Sequence, residues 1–334
     1  ISFPSLKKLR LASLNVIKVW HNQLSNVSFC THEKLTTLKI DEEETQATMT
    51  LSLFPQLKSL ELKNLQHLSG FCSTSQNKVI EFAFMKSMRI YNCPNLDSFV
   101  WRYTRQENQR ICSQGDLFDN KVAFPKLQEL RVKGCDKLLS IFPSNVLTTF
   151  QRLQHLTVNT CGSLQQVFEI MHEEKEIALL ATTQLRELHM IRLPELKYIW
   201  KNDPKGIFSF KKICTIFVWR CQILKSVFPA SIAKDLPRLR YLGIFYCGVE
   251  EIVSKLEEGS ESEIAVNFEL DQLYSLRLWR LPELKCFYPG KHTTKWPMLN
   301  KLELVECEKL KILGTQLITN NGQLDFPVHP PLFY

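Results

Sequence analysis

Apolar residues recur along the chain with one fixed spacing, Leu-x-x-Leu-x-Leu-x-x-Cys-x-x-Leu, in which Val, Ile or Met sometimes replaces Leu. The three closest copies begin at Leu127, Leu153 and Leu299. Further copies begin at Leu6, Leu57, Leu185, Ile213, Leu239 and Leu273, and weaker ones at Leu35 and Met85. The alternating part of each copy predicts a short strand whose apolar residues point inward. Recurrence at this period indicates a solenoid of stacked coils.

The spacing is typical of leucine-rich repeats. We therefore predict an α/β-type leucine-rich-repeat solenoid, an irregular arc with a parallel β-sheet on its concave face. Loops, 3-10 turns and short helices are expected on the convex face. About eleven repeats form one domain over residues 1–315, because each coil packs only on its neighbours. The uneven spacing predicts insertions near 101–121 and 253–266, and residues 316–334 form a tail after the repeats.

The residues between the leucines predict the chemistry of the concave face. Equivalent positions of successive repeats form columns about 4.8 Å apart in a parallel sheet. In the N-terminal half the candidates for electrostatic docking are Arg10, Lys39, Arg89, Arg131 and Lys133. In the C-terminal half the candidates for partner binding are Phe217, Trp219, Arg220, Tyr241, Phe245, Arg277, Trp279 and Arg280. Gly243 lies among these aromatic residues and predicts a pit that accepts a side chain of the partner.

Each half of this face has a second interpretation. Aromatic anchors bordered by arginines are typical of a protein–protein interface. The same rings also favour strands and would stabilise the sheet by stacking on one another, or an insertion would cover them. The basic residues form either a docking surface or an ordinary solvated strand face. His155 and His189 also project from this face, where they would make binding depend on pH.

Composition and cysteine placement favour a folded intracellular protein. Hydrophobic residues make up 44% of the chain and charged residues 23%, and no apolar run approaches the roughly 18 residues of a membrane span. Six of the eleven cysteines occupy one motif position and are predicted to be buried spacers: Cys93, Cys135, Cys161, Cys221, Cys247 and Cys307. The total is odd and the remaining five show no regular pairing, which favours reduced thiols in the cytoplasm or nucleus.

The sequence contains no arrangement that predicts catalysis. It has neither a phosphate-binding loop nor a Gly-x-Gly-x-x-Gly motif, and no histidine pair has metal-ligand spacing. His172, beside Glu173, is interpreted as part of an acidic insertion. The net charge of +8 is modest, and glutamates such as Glu61, Glu129 and Glu187 interrupt the basic surface, which disfavours nucleic-acid binding. We therefore predict no enzyme activity, no cofactor and no metal for these residues.

The residues that flank the repeats resemble those of one family. The phrases that carry the resemblance are Phe3–Leu11, Phe54–Leu62, Phe124–Leu130, Leu193–Trp200, Cys221–Pro229 and Leu281–Lys285. Together they resemble the C-terminal repeats of plant coiled-coil nucleotide-binding disease-resistance receptors, over almost the entire chain. The resemblance implies a cytoplasmic, or also nuclear, recognition domain that binds a pathogen effector or a guarded host protein through its concave face.

Two alternatives to effector recognition remain. The repeats would instead act mainly as an autoinhibitory clamp that docks on the receptor's own nucleotide-binding domain, or as a generic leucine-rich-repeat scaffold. The resemblance implies that ATP or ADP binds in that nucleotide-binding domain, which lies outside these residues.

Overall fold

The computed structural model describes residues 3–20, 49–51, 54–74, 78–102, 115–143, 147–169, 181–203, 208–255 and 265–310. Within them the chain forms short strands almost throughout. In chain order the strands are β1 (Lys8–Ala12), β2 (Lys18–Trp20), β3 (Met49–Leu51), β4 (Ser59–Lys63), β5 (Gly70–Thr74), β6 (Lys78–Glu81), β7 (Ser87–Tyr91), β8 (Val100–Arg102), β9 (Val122–Ala123), β10 (Glu129–Lys133), β11 (Ser140–Phe142), β12 (His155–Asn159), β13 (Gln166–Phe168), β14 (Ala181–Thr182), β15 (Glu187–Ile191), β16 (Tyr198–Trp200), β17 (Phe208–Ser209), β18 (Thr215–Trp219), β19 (Phe228–Pro229), β20 (Tyr241–Phe245), β21 (Val253–Ser254), β22 (Val266–Glu269), β23 (Ser275–Trp279), β24 (His292–Lys295) and β25 (Lys301–Val305). A 3-10 turn spans Leu147–Phe150 and the helix α1 spans Ala230–Lys234.

Ten of these strands form one parallel sheet in the order β1-β4-β7-β10-β12-β15-β18-β20-β23-β25. The strands are paired in register, so that Arg89 faces Arg131 and Phe217 faces Gly243. The second and fourth residues of each strand point into the core, and from Leu60 to Leu278 they are almost completely buried. This alternation places the first, third and fifth residues of each strand on the opposite side, called here the open face. The predicted fold class is confirmed.

A row of phenylalanines fills the core beside this sheet. Each lies five residues before a strand of the sheet, where its carbonyl accepts a hydrogen bond from the amide three residues later, as in Phe54 and Leu57. Successive rings contact one another, with centroids 6.3 Å apart for Phe54 and Phe82 and 5.1 Å apart for Phe82 and Phe124. The Phe-Pro phrases at Phe3, Phe54 and Phe124 therefore mark the entry of three coils, and Phe54 and Phe124 are among the large buried side chains.

The motif cysteines are buried spacers, as predicted. Cys93, Cys135, Cys161, Cys221 and Cys247 are buried, whereas Cys307 is partly exposed. Their thiols point back to the carbonyl oxygen two residues earlier, for example from Cys247 to Phe245 at 3.2 Å. A small thiol fits here because the chain turns directly after the strand and the next coil packs closely. The cysteines of the described residues are all free.

The sides of the coil away from the open face contain more β-structure than expected. Short parallel ladders such as β2-β5-β8, β11-β13-β16 and β3-β6-β9 occupy them. Successive coils have similar length there, so their backbone amides and carbonyls meet in register and pair. Most of both predicted insertions, residues 103–114 and 256–264, lies outside the described residues. No helix among the described residues is long and apolar enough to cross a membrane.

The docking candidate Lys39 belongs to the weaker copy that begins at Leu35, and both lie outside the described residues. Strand β1 pairs directly with β4, and Arg10 faces Glu61. No described residue stands between these two, and the role of Lys39 as a docking residue stays a prediction.

Candidate protein-recognition surface

The C-terminal half of the open face carries a cluster of rings, which we call the aromatic patch. It comprises Phe217, Trp219, Tyr241, Phe245 and Trp279, which are supplied by β18, β20 and β23. Strand register brings these residues together, since Phe217 and Gly243, and likewise Trp219, Phe245 and Trp279, lie in single columns. The structure therefore groups the aromatic residues that the sequence singled out.

Part of the aromatic patch is a ladder of tilted and edge-to-face ring contacts. The ring centroids of Phe217 and Phe245 are 5.3 Å apart, and those of Phe245 and Trp279 are 5.9 Å apart. His189 extends the ladder, with its ring centroid 5.9 Å from that of Phe217. Phe245 is only 8% exposed, so it supports the other rings and offers little surface of its own. Phe217, Trp219, Tyr241 and Trp279 remain half-buried and accessible. The stacking and the interface interpretations are thus both compatible with this geometry.

The predicted pit at Gly243 does not exist. A Cβ atom added to Gly243 would lie 2.6 Å from both the Phe245 ring and the Tyr241 hydroxyl oxygen. The neighbouring side chains therefore lean over the glycine and bury it. Two large rings at the ends of one strand fill the space that a small residue between them leaves, because the contact gains dispersion energy. The glycine permits the aromatic patch to close and does not open a pocket.

Arg277 and Glu303 fix the patch at its C-terminal end. The Arg277 Nε donates to a Glu303 carboxylate oxygen at 2.7 Å, and the Trp279 indole N–H donates to the same oxygen at 3.0 Å. The Arg277 guanidinium also lies over the rings of Phe245 and Trp279, at 5.6 and 5.2 Å from their centroids. The hydrogen bond that Arg277 donates to Glu303 raises the pKa of Arg277. Hydrogen bonds from Lys301 and Arg277 lower the pKa of Glu303. Arg277 and Glu303 are therefore both fully charged at neutral pH.

The residue that follows each strand of the sheet forms a further row, called here the rim column. Its members are Ser13, Asn64, Asn92, Gly134, Thr160, Arg192, Arg220, Tyr246, Arg280 and Glu306. All ten have a positive φ, between 50° and 64°. Each amide from Ser13 to Arg280 donates to the last strand residue of the next coil, as from Arg220 to Phe245 at 2.9 Å. The left-handed turn thus continues the hydrogen-bond ladder past the end of the strands.

The rim column adds residues that the sequence reasoning missed. Arg220 and Arg280 were predicted at the border of the patch, whereas Arg192 and Tyr246 were not. The Arg192 and Arg220 guanidinium carbons lie 4.7 and 5.0 Å from the Trp219 ring centroid. Arg220 and Arg280 lie over the Tyr246 ring at 5.7 and 5.1 Å. Asn64, Asn92 and Gly134 at the equivalent positions were the available clue, since Asn and Gly favour left-handed backbone.

The basic N-terminal candidates have internal counterions. Arg10 pairs with Glu61 at 3.1 Å, and Arg89 pairs with Glu129 at 3.1 Å. Arg131 pairs with Glu129 as well. Partial burial acts to raise the pKa of Glu129, but hydrogen bonds from Arg89 and Ser87 and the charge of Arg131 together lower it. Much of the predicted positive charge is therefore compensated within the sheet.

Two lysines at the fifth position of their strands, Lys63 of β4 and Lys133 of β10, differ from these arginines in their ion pairing. Lys63 and Lys133 make no ion pair with any described residue, and with Tyr91 they border a shallow depression. Among the described residues no group of three or more His, Cys, Asp or Glu side chains is placed to hold a metal ion.

The in-register sheet, the buried leucines and the cysteine spacers define a leucine-rich-repeat protein with an aromatic and arginine-rich open face. Within it, residues 102–248 match the family model described as plant disease resistance protein RPS2-like, leucine-rich repeats. The match supports the resemblance drawn from the sequence over these residues. No curated protein and no solved structure matches the chain. Repeats of this kind typically mediate protein interactions.

Proposed function

We propose that these repeats recognise a protein, either a pathogen effector or a guarded host protein, through the aromatic patch and its arginines. The observation that carries the proposal is the coexistence of exposure and rigidity. Phe217, Trp219 and Trp279 remain accessible although strand pairing, ring stacking and hydrogen bonds fix them. Rigid aromatic anchors lose little conformational entropy on binding, and Trp, Tyr and Arg dominate the energetics of protein interfaces.

The position of the surface also supports this function. The open face is built from side chains that the core does not need, because the alternate residues of each strand already fill it. Its aromatic half contrasts with the polar N-terminal half, and soluble proteins rarely expose contiguous apolar area without a binding role. The cytoplasmic or nuclear location and the effector as partner follow from the family likeness and form part of the proposal.

Photo-cross-linking tests the proposal directly. Benzoylphenylalanine at position 217 should form an adduct of one discrete mass in challenged plant tissue that expresses the protein. Trp219→Ala in the same chain should remove that adduct. Trp219 is a suitable residue to truncate because its side chain lies on the open face, outside the buried core, and its ring lies beneath the exposed Arg192 and Arg220. The fold should therefore persist.

The matched control carries the cross-linker at Phe84, another partly exposed phenylalanine, which lies on the turn before β7. Equal adducts from positions 217 and 84, or an adduct that survives Trp219→Ala, would contradict recognition through the patch. The thermal transition of each variant shows whether any loss reflects unfolding.

The autoinhibitory clamp is the second candidate, and Lys63 and Lys133 favour it. These two cations have no counterion among the described residues and flank one depression, which suits an acidic face of a nucleotide-binding domain. Reversal of both to Glu in a complete receptor should cause activation without any pathogen. The same reversal at the exposed Lys137 and Lys197 should leave the receptor at rest. Unchanged resting activity in the first variant would rule against the clamp.

A further inference from the structure

The rim column changes its composition halfway along the sheet. Its first five members are small or polar, whereas Arg192, Arg220, Tyr246, Arg280 and Glu306 are long or bulky. The left-handed backbone there, with φ of 55° at Arg220 and 57° at Tyr246, costs roughly 1–2 kcal/mol for an ordinary L-residue. Backbone strain of this kind concentrates at functional sites. The bulky half of the column is therefore a candidate for a specific role.

Two arginines of the surface show what a stacked guanidinium does here. Arg280 lies over the Tyr246 ring and its Nε is 2.8 Å from a Glu306 carboxylate oxygen. Arg277 lies over the Trp279 ring and its Nε is 2.7 Å from Glu303. In both cases the guanidinium lies over a ring while its Nε remains within reach of a carboxylate. Such geometry favours a planar carboxylate.

Arg192 and Arg220 also lie over an aromatic ring, but they pair with no carboxylate of the described residues. Both lie over Trp219, both are exposed, and neither pairs with an acidic side chain of the described residues. They occupy adjacent coils, so their guanidinium groups flank one indole. At Arg280, two coils further along, the guanidinium contacts both a ring and the Glu306 carboxylate. At Arg192 and Arg220 only the ring is present among the described residues.

We propose that Arg192 and Arg220, stacked on Trp219, bind carboxylate side chains of an acidic segment on the protein partner. This inference rests on the proposed function and specifies the chemistry of the partner at one edge of the patch. The partner's carboxylates take the places that Glu306 and Glu303 take at Arg280 and Arg277. A nucleic-acid phosphate is the less suitable ligand, because Glu303 and Glu306 lie on the same surface and repel an extended polyanion.

A labelled hexaglutamate peptide is a suitable probe, with binding followed by fluorescence anisotropy of the intact chain. The double variant Arg192→Gln with Arg220→Gln should weaken binding by about tenfold or more, since hydrogen bonds to charged groups contribute strongly to affinity. The control, Arg152→Gln with Arg238→Gln, removes the same charge from two exposed arginines outside the site and should weaken binding by less than about twofold. Trp219→Leu should reduce binding as well, because it removes the ring that orients both arginines.

Three results would overturn the inference. The first is an equal loss of hexaglutamate affinity in the control variant, and the second is no binding of hexaglutamate to the unmodified chain. The third is a clear preference for labelled hexathymidylate, which would point to nucleic acid instead. The cross-link at position 217 separates the two proposals. If the cross-link persists in the double variant and hexaglutamate does not bind, the proposed protein interface is supported and the proposed carboxylate site is wrong. If hexaglutamate binds at the arginines and no cross-link forms, the proposed function fails.

Discussion

Single residues decide whether the aromatic patch is closed or open. Gly243 is the centre of the patch, and its missing side chain allows Tyr241 and Phe245 to approach each other across it. Phe245 in turn holds Phe217 and Trp279 in contact. The order of the whole patch therefore depends on a residue that contributes no side-chain atom.

Gly243→Ala should destabilise the protein by about 1 kcal/mol. The new methyl would displace two rings, an overpacking cost of roughly 1–3 kcal/mol, which exceeds the roughly 0.5–1 kcal/mol that Ala gains over Gly in a strand. Urea unfolding measures the change. Gly162→Ala is the matched control, because its methyl would meet only the Asp136 carboxylate, at 3.2 Å, and should cost less. A more stable Gly243→Ala variant would show that the rings do not pack as described.

At this scale the sequence predicted the members of the patch but not their contacts. The columns placed Phe217, Phe245 and Trp279 correctly, since strand register alone fixes them. The pit at Gly243 was wrong, because side chains that flank a glycine choose rotamers which fill the gap. Arg192 and Tyr246 were missed because their direction depends on a left-handed backbone position beyond the strand. Glu129 pairs with two of the predicted docking arginines, Arg89 on the preceding coil and Arg131 on its own strand.

His189 should make the stability of the patch depend on pH. Burial lowers its pKa, the charges of Arg131 and His155 act in the same direction, and Glu187 opposes them. Below a pH of about 6.5 the unfolded chain binds a proton that the folded chain does not, so the free energy of unfolding should decrease as the pH falls from 7 to 5. His189→Gln should remove this part of the decrease. The control is His67→Gln, at an exposed position on a turn, which should leave the decrease unchanged. Identical pH profiles for the two variants would contradict the assignment.

At the scale of elements, the left-handed residue after each strand shapes every coil. It turns the chain away from the sheet and donates one more hydrogen bond to the next coil. Asn64 and Asn92 suit this position and are linked by a side-chain hydrogen bond of 3.0 Å. Thr160, with φ of 50°, is β-branched and suits it poorly. The repeat therefore tolerates local strain wherever the pairing between coils compensates for it.

Thr160→Asn should stabilise the protein by roughly 0.5–1 kcal/mol, because Asn adopts the left-handed region more readily. The matched control is the same exchange three residues earlier, Thr157→Asn, in the extended backbone of β12. That change should be destabilising, since Asn is depleted in strands. Denaturation midpoints of the two variants should move in opposite directions. A shift of both in the same direction would mean that backbone conformation does not control the effect.

At the scale of the whole molecule, stability should depend on where along the array a residue lies. Each coil is held only by its neighbours, so the stability of a solenoid is approximately a sum of coil and interface contributions. Leu188 and Leu302 occupy the same inward position of β15 and β25, yet Leu188 is fully buried and Leu302 is 37% exposed. Among the described residues, β25 is the last strand of the sheet and pairs only with β23.

Leu188→Ala should therefore cost about 2–5 kcal/mol, as large buried truncations do, whereas Leu302→Ala should cost less than about 1 kcal/mol. Hydrogen exchange shows which strands each of the two variants destabilises, in addition to how strongly. The first variant should accelerate exchange in β12, β15 and β18 together, because a destabilised central coil weakens both of its interfaces. The second should accelerate exchange in β25 alone and loosen Glu303, which holds Arg277 and Trp279 in the patch. Equal costs and equal spread for the two variants would show that the array unfolds as one unit, with no independent end.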